Sequence, residues 1–382
     1  MCKSIQLITC FLFTCIFICF SSCKKDKEQD GNDSSNPLDT LSGSWVRISE
    51  NMYSQGQFQQ VFELDGQIFT LNQSYPGNPA KIFKYTPLSS QFTPFHTFVG
   101  NTPYQSYCQA GNTVYLIMDY TTSTGGFGAI YNYQYQLYKI SSQNISKIAD
   151  VHNPENISLG SHSVFTQGED VYFAGYSKIP GTSQNGLTVY KLTGDSLTFI
   201  SSKPSQQTGP IVINNPNAGA WVLQYNLNNG DYTQIELLKI DNGQIVSVKS
   251  GLSTTNDLYA VGGKLYRTVK EPNPSIPEYT NVFIENIETG KRSQITTYIS
   301  YQKYWNVLND KLFMSYSTMN HTTDNHFIVL DTYGKITFLP KEIPGFGIIS
   351  NYKQVKFFGE SPSKYYLVVS NNMDNVLYSF SK

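Results

Sequence analysis

Apolar and polar positions fall into a short recurring pattern, seen most clearly in Asn256-Asp257-Leu258-Tyr259-Ala260-Val261-Gly262-Gly263-Lys264-Leu265-Tyr266-Arg267. Apolar runs on either side of a Gly-Gly pair read as a strand, a tight turn and a second strand. Counterparts of this turn occur at Gly66, Gly111, Gly168, Gly219, Asp310 and near Ser361, a period of about fifty residues. After each turn comes an apolar or aromatic pair: Ile68-Phe69, Val114-Tyr115, Val171-Tyr172, Trp221-Val222, Leu265-Tyr266, Leu312-Phe313 and Tyr366-Leu367. The repeat of one offset along the chain predicts one structural unit used many times.

A second hairpin follows each pair. Its first strand reads Ile82–Tyr85, Leu137–Ile140, Val189–Leu192, Leu237–Ile240, Phe283–Ile287, Ile328–Asp331 and Leu377–Phe380. Tight turns such as Asp241-Asn242-Gly243 and Thr332-Tyr333-Gly334-Lys335 come next, in residues that tolerate positive φ. Fourth strands follow at 92–95, 145–148, 197–200, 245–248, 292–295 and 336–339. The last unit lacks one, because the chain stops at Lys382. Trp45-Val46-Arg47-Ile48, just before the first unit, has the length and pattern of the missing strand. Four-stranded antiparallel units of this period, each needing neighbours to bury its faces, predict an all-β, seven-bladed β-propeller. Its last blade is closed by the N-terminal strand. The chain resembles the kelch and galactose-oxidase central-domain type of propeller, through Gly262-Gly263 followed by Tyr266. It departs from that type in having a clear doublet only there and just 3 Trp, and it carries no WD dipeptide signature.

The N-terminus reads differently. Lys3 and the apolar run from Ile5 to Phe20 have the form of a secretory signal. Phe20-Ser21-Ser22-Cys23 resembles a bacterial lipobox, with Phe where Leu is usual, which marks Cys23 for lipidation. The charged run that follows, from Lys24 to Pro37, lacks apolar residues and reads as a tether. The expected division is a signal peptide at 1–22, a disordered tether at 23–42 and the propeller at 43–382. A lipobox followed by such a tether looks like Bacteroidetes-type envelope lipoproteins. The implied location is the bacterial cell envelope, at the outer membrane.

Composition narrows the function classes. Of 6 cysteines only Cys108 would remain in the folded part, which excludes an internal disulfide and a Cys-rich metal site. A net charge of −1 gives no reason to expect nucleic acid. No cofactor is implied, and the ring closes within one chain, so a monomeric propeller is expected. The 28 Tyr suit both pleated surfaces and a polar, sugar-like ligand.

In a propeller, the links between blades and those between second and third strands share one rim. The long connections fall on that rim, at 74–80, 121–134, 177–186, 227–232, 271–280 and 317–325. Loops that lengthen on one face of a scaffold are where binding is expected. The inter-blade links open onto the central channel, which nominates Tyr104, His162, Asn256, Tyr301, Lys303 and Tyr352 as ligand-binding residues, stacking on and hydrogen-bonding a glycan or protein ligand.

Catalytic constellations are weaker. His321 and His326 match no metal-binding spacing, and Arg47, Arg267 and Arg292 are too few and too scattered for a sialidase cluster. Cys108 beside Tyr107 resembles a Cys-linked Tyr radical site only in adjacency. Asp119, Glu169, Asp257 and Glu278 are scattered carboxylates with no ground for choosing a pair. The expectation is therefore a non-catalytic, lipid-anchored binding propeller. Alternatives are a polysaccharide-active enzyme with carboxylates from separate blades, or a structural partner of an outer-membrane complex.

Overall fold

The computed structural model describes residues 39–49, 57–73, 79–86, 91–99, 104–120, 122–123, 131–132, 134–152, 163–194, 196–204, 211–215, 219–228, 231–253, 258–276, 279–298, 301–318, 326–340, 342–345, 354–371 and 374–382. The period read from the sequence is the structure's period. Seven four-stranded antiparallel sheets form the blades of a ring. Their innermost strands are Gln57–Leu64, Tyr104–Ala110, Ser163–Gln167, Ile211–Asn215, Leu258–Val261, Tyr301–Leu308 and Gln354–Glu360, which number the blades 1 to 7.

Closure follows the expected scheme. In blade 7 the strands Gln354–Glu360, Lys364–Asn371 and Asp374–Ser381 are completed by Val46–Arg47, antiparallel to Asp374–Ser381 with Val46 opposite Ser379. The ordered pairing also begins upstream of residue 43. Asp39–Thr40 lies parallel against Ile336–Leu339, the outermost strand of blade 6, as a fifth strand. Between the two pairings Trp45 drops into the core, fully buried, and its indole N–H donates to the Pro340 carbonyl at 2.7 Å. Its ring meets Phe327, Phe358 and Phe380. One short segment thus ties blade 6 to blade 7.

The core is divided by blade. Among the described residues the buried apolar side chains form seven clusters, one in each seam between adjacent blades. The period-two alternation of a strand explains this, since successive side chains point to the two neighbouring blades. The aromatic after each first turn faces the following blade. Phe69 packs with Leu116 and Met118 of blade 2, Tyr172 with Val222 of blade 4, and Tyr366 with Ile68 of blade 1.

In several blades a lysine on the third strand stands over that aromatic. Lys84 lies 5.9 Å from the Phe69 ring, Lys191 5.9 Å from Tyr172 and Lys239 6.0 Å from Trp221. Each pair is directly opposite in register. The ammonium lies over the ring face, and those of Lys191 and Lys239 also pair with Asp170 and Asp241.

Candidate binding face at the mouth of the channel

The two rims of the ring are built differently. On the rim of the first turns the backbone closes in tight hairpins, with Asn309 and Asp310 at φ 51° and 58° and Asp65 at 50° before Gly66 at 72°. Positive φ at both central positions matches the twist of the flanking strands. These turns are bonded from blade to blade. Asn112 donates to Asp65 at 2.6 Å, and Ser142 donates to the same carboxylate. Gln167 donates to Asp241 at 2.8 Å and accepts from the Asn242 N–H at 2.6 Å. Gly262 N–H donates to Asp310 at 2.7 Å. Glu360 takes Lys311 at 2.7 Å and Lys382 at 2.5 Å.

These bonds set the electrostatics of that rim. The hydrogen bond from Gln167 holds the Asp241 carboxyl below its usual range. Burial pushes Asp310 up to about 6, against the opposing hydrogen bond from Gly262. Five seams are stitched at this level, counting the bond from Tyr366 to Glu63 at 3.0 Å. These bonds tie the turns of adjacent blades to one another.

The opposite rim carries the long connections. Where they are described, they are more ordered than the sequence suggests. The blade 4 hairpin expected to open at 227–232 instead stays paired up to Asn228 and Asp231. The blade 2 connection carries its own small hairpin, Thr122–Ser123 with Tyr131–Asn132. In blade 3, Lys178 pairs with Asn185 and Ile179 N–H donates to the Gln184 carbonyl at 2.9 Å. In blade 5, Asn273 N–H donates to the Tyr279 carbonyl at 2.8 Å, and the Asn273 side chain accepts from Ser275 and Ile276.

Below this rim the channel is narrow. The innermost strands of blades 4 and 6, which are not neighbours in the ring, come within 8 Å between Cα atoms. From the far side, Tyr107 of blade 2 packs against both the core between blades 1 and 2 and the core between blades 6 and 7. Tyr304 on blade 6 packs into that second core, and burial raises its hydroxyl to about 12. Both tyrosines thus pack into cores between blades.

Trp305, on the innermost strand of blade 6, is 39% exposed. Among the described residues every other exposed large apolar side chain sits on an outermost strand, a loop or a turn. Trp305 is held edge-on by Tyr259 of blade 5, with ring centroids 5.1 Å apart and planes at 75°. Tyr259 is itself buried and bonded to Thr268 at 3.0 Å. The indole is thus positioned by a fixed partner while part of it stays open. The sequence reading stopped one residue short of it, at Tyr301-Gln302-Lys303-Tyr304. The signal available was an aromatic inside a strand, where blades 1 to 5 and 7 have no tryptophan on the innermost strand.

The nominated residues fall as follows. Tyr301 and Lys303 lie on the innermost strand of blade 6, opposite Thr318 and Tyr316, with Tyr301 at its long-loop end. Tyr104 begins the innermost strand of blade 2, opposite Met118. His162, Asn256, Tyr352 and Cys23 lie outside the described residues.

Of the scattered carboxylates, Asp119 ends a strand at the long-loop rim while Glu169 sits exposed in a turn on the opposite rim. They are no pair. Asp257 and Glu278 lie outside the described residues. Arg267 and Arg292 both bind Glu285, and Arg292 also binds Glu271 at 2.6 Å. Cys108 is buried opposite Tyr115, and burial pushes its thiol up, so it stays protonated. No group of three or more potential metal ligands occurs among the described residues.

No protein-family model matches the chain, and no curated protein does. Solved structures do match. The acylaminoacyl peptidase of Pyrococcus horikoshii aligns over 88% of this chain and 53% of its own, at 9% identity and a TM-score of 0.51. An acylaminoacyl peptidase in complex with Z-Gly-Gly-Phe-chloromethyl ketone aligns over 88% and 54%, again at 9% identity and 0.51. The chain spans about half the length of these structures. At such identity the likeness is one of fold, and it agrees with what the strand pairing gives directly: this chain is a β-propeller of seven four-stranded blades.

Proposed function

We propose that this chain is a non-catalytic binding propeller that takes a glycan at the long-loop mouth of its channel. The observation that carries the reading is Trp305, an indole on the innermost strand of blade 6, held edge-on by Tyr259 and partly exposed. Aromatic faces bind the apolar faces of sugar rings, and nearby amides, hydroxyls and an ammonium fix orientation. Tyr301 and Lys303 share the strand with Trp305, at positions of the same parity. Tyr104, His162, Asn256 and Tyr352 complete the proposed set around the mouth.

The non-catalytic part rests on where the described carboxylates go. Asp65, Asp241, Asp310, Glu285 and Glu360 are committed to bonds that hold the fold together. Anchoring through a lipid on Cys23, on a Bacteroidetes-type envelope lipoprotein, is supported by Phe20-Ser21-Ser22-Cys23 and the tether after it. A kelch-type affiliation is supported by Gly262-Gly263 and Tyr266.

Calorimetric titration against a glycan panel tests the site. Trp305→Ala, and separately Tyr301→Ala with Tyr352→Ala, should weaken a bound glycan about tenfold or more while leaving Tm near that of the parent. Unchanged affinity in both variants contradicts the assignment, and recovery of a cleaved glycan makes the protein an enzyme. For the anchor, Cys23→Ser should move the protein out of the membrane fraction without its lipid mass. An unchanged fraction and mass would refute lipidation.

A further inference from the structure

Polar side chains enter the seam between blade 7 and blade 1. On each second strand, the positions one and three after the turn-proximal aromatic face the preceding blade. In blade 2 these are Leu116 and Met118, and in blade 7 Leu367 and Val369, all buried in apolar cores. In blade 1 they are Thr70 and Asn72. Thr70 is 0% exposed and Asn72 1%. The Thr70 hydroxyl and both polar atoms of the Asn72 amide have no hydrogen-bond partner.

The opposing face of blade 7 is polar at the same level. Ser370 and Asn375 stand opposite each other in register, on the faces of Val368 and Leu377 that pack against blade 1. Both are engaged in interactions of their own. Lys81, opposite Asn72 in the ladder, is partly buried. Apolar side chains stand beside these groups, with Phe58 opposite Asn72 and Phe83 opposite Thr70 in register, and Phe357, Val368 and Leu377 in the same core. Asn72 lies nearer the long-loop rim than Thr70.

A buried amide with donor and acceptor both unmet is costly, and native proteins rarely tolerate one. We propose that the blade 7–blade 1 seam is a hydration site, in which ordered water bridges Thr70, Asn72 and the facing blade. The chemistry selects water over other occupants. A hydroxyl and an amide together ask for a neutral partner that donates and accepts at once. The three orphaned atoms match the roughly 2–4 partners that a buried water takes. The Glu63 carboxylate of this seam already accepts from Tyr366, and the cation beside Asn72 in the ladder is Lys81.

A high-resolution crystal structure of the chain tests this directly. Ordered water within hydrogen-bonding distance of the Asn72 amide and the Thr70 hydroxyl, repeated in every copy, is the expected result. A dry seam, an Asn72 amide turned onto a protein partner, or density for a larger molecule would overturn it. A second measurement reads the same question in solution. If water satisfies these groups, Thr70→Val with Asn72→Leu should not raise Tm, because bonds to water are lost along with the polar atoms. If the groups are orphaned in a dry seam, the same change removes them and Tm should rise by several degrees.

Discussion

Two carboxylates show how single residues set the stability of this ring. Asp310 is buried and titrates near 6 when folded, against an ordinary value of 3.8. The folded protein therefore binds more protons than the unfolded chain between those values, and stability falls as pH rises through that window. The contribution is on the order of 1–3 kcal/mol, fully expressed above about pH 6. Melting curves of the parent and Asp310→Asn across that range should show the variant gaining on the parent as pH rises. Parallel curves would mean that Asp310 does not titrate there.

Glu285 works in the opposite direction. Burial opposes its charge, but hydrogen bonds from Arg292 and Arg267 outweigh that and hold the carboxyl below its usual range. Its stabilising effect is present above the ordinary carboxylate range and is lost as pH falls. Removing it with Glu285→Gln leaves two guanidinium groups side by side. Since both arginines are partly exposed, the cost should be about 1–3 kcal/mol, less than for a fully buried pair. Urea denaturation measures it, and no change in midpoint would show the network to be inert. At this scale the sequence was least legible. Arg267 and Arg292 were visible as rare arginines, but their joint hold on Glu285 depends on the ladder that brings position 267 opposite 285.

At the scale of elements, the repeat was legible because each unit solves the same local problem. A hairpin needs positive φ, so Gly, Asn and Asp recur. A blade must also bury an aromatic on its neighbour, so the pair after the turn recurs. What the sequence did not give is which glycines matter to packing. A Cβ at Gly111 would meet nothing within 4 Å, whereas one at Gly262 would lie 2.4 Å from the Thr332 carbonyl of blade 6. Both have positive φ, so alanine at either carries a backbone cost of about 1–2 kcal/mol. Gly262→Ala should cost clearly more, and the difference in denaturation midpoint isolates the contact between blades. Equal losses would mean that the seam gives way freely.

The parallel pairing of Asp39–Thr40 was also missed, for a physical reason. Two residues paired at an outer edge leave no periodic pattern, and Asp-Thr reads as tether.

The whole molecule depends on closure, since each blade has two faces to bury and only a ring leaves none open. The missing fourth strand and its replacement by Trp45–Ile48 were readable by counting. The depth of Trp45 was not, because its burial comes from blades 6 and 7 meeting around it. Trp45→Ala should cost about 3–5 kcal/mol and loosen that seam first. Hydrogen exchange that stays uniform around the ring would argue against the segment's role as a clasp. For the proposed binding face, loop lengths nominate the rim, but Trp305 required the geometry that sets Tyr259 of blade 5 edge-on against it.

Trp305 also supplies the most direct test of the account. Of the 3 tryptophans, Trp45 and Trp221 are buried and Trp305 is partly open. Subtracting the emission of a Trp305→Phe variant from that of the parent isolates the one partly exposed indole. Titration with glycans should change this difference spectrum, saturating at the affinity found by calorimetry. A glycan that binds by calorimetry and leaves the spectrum unmoved would place its site elsewhere and contradict the central claim.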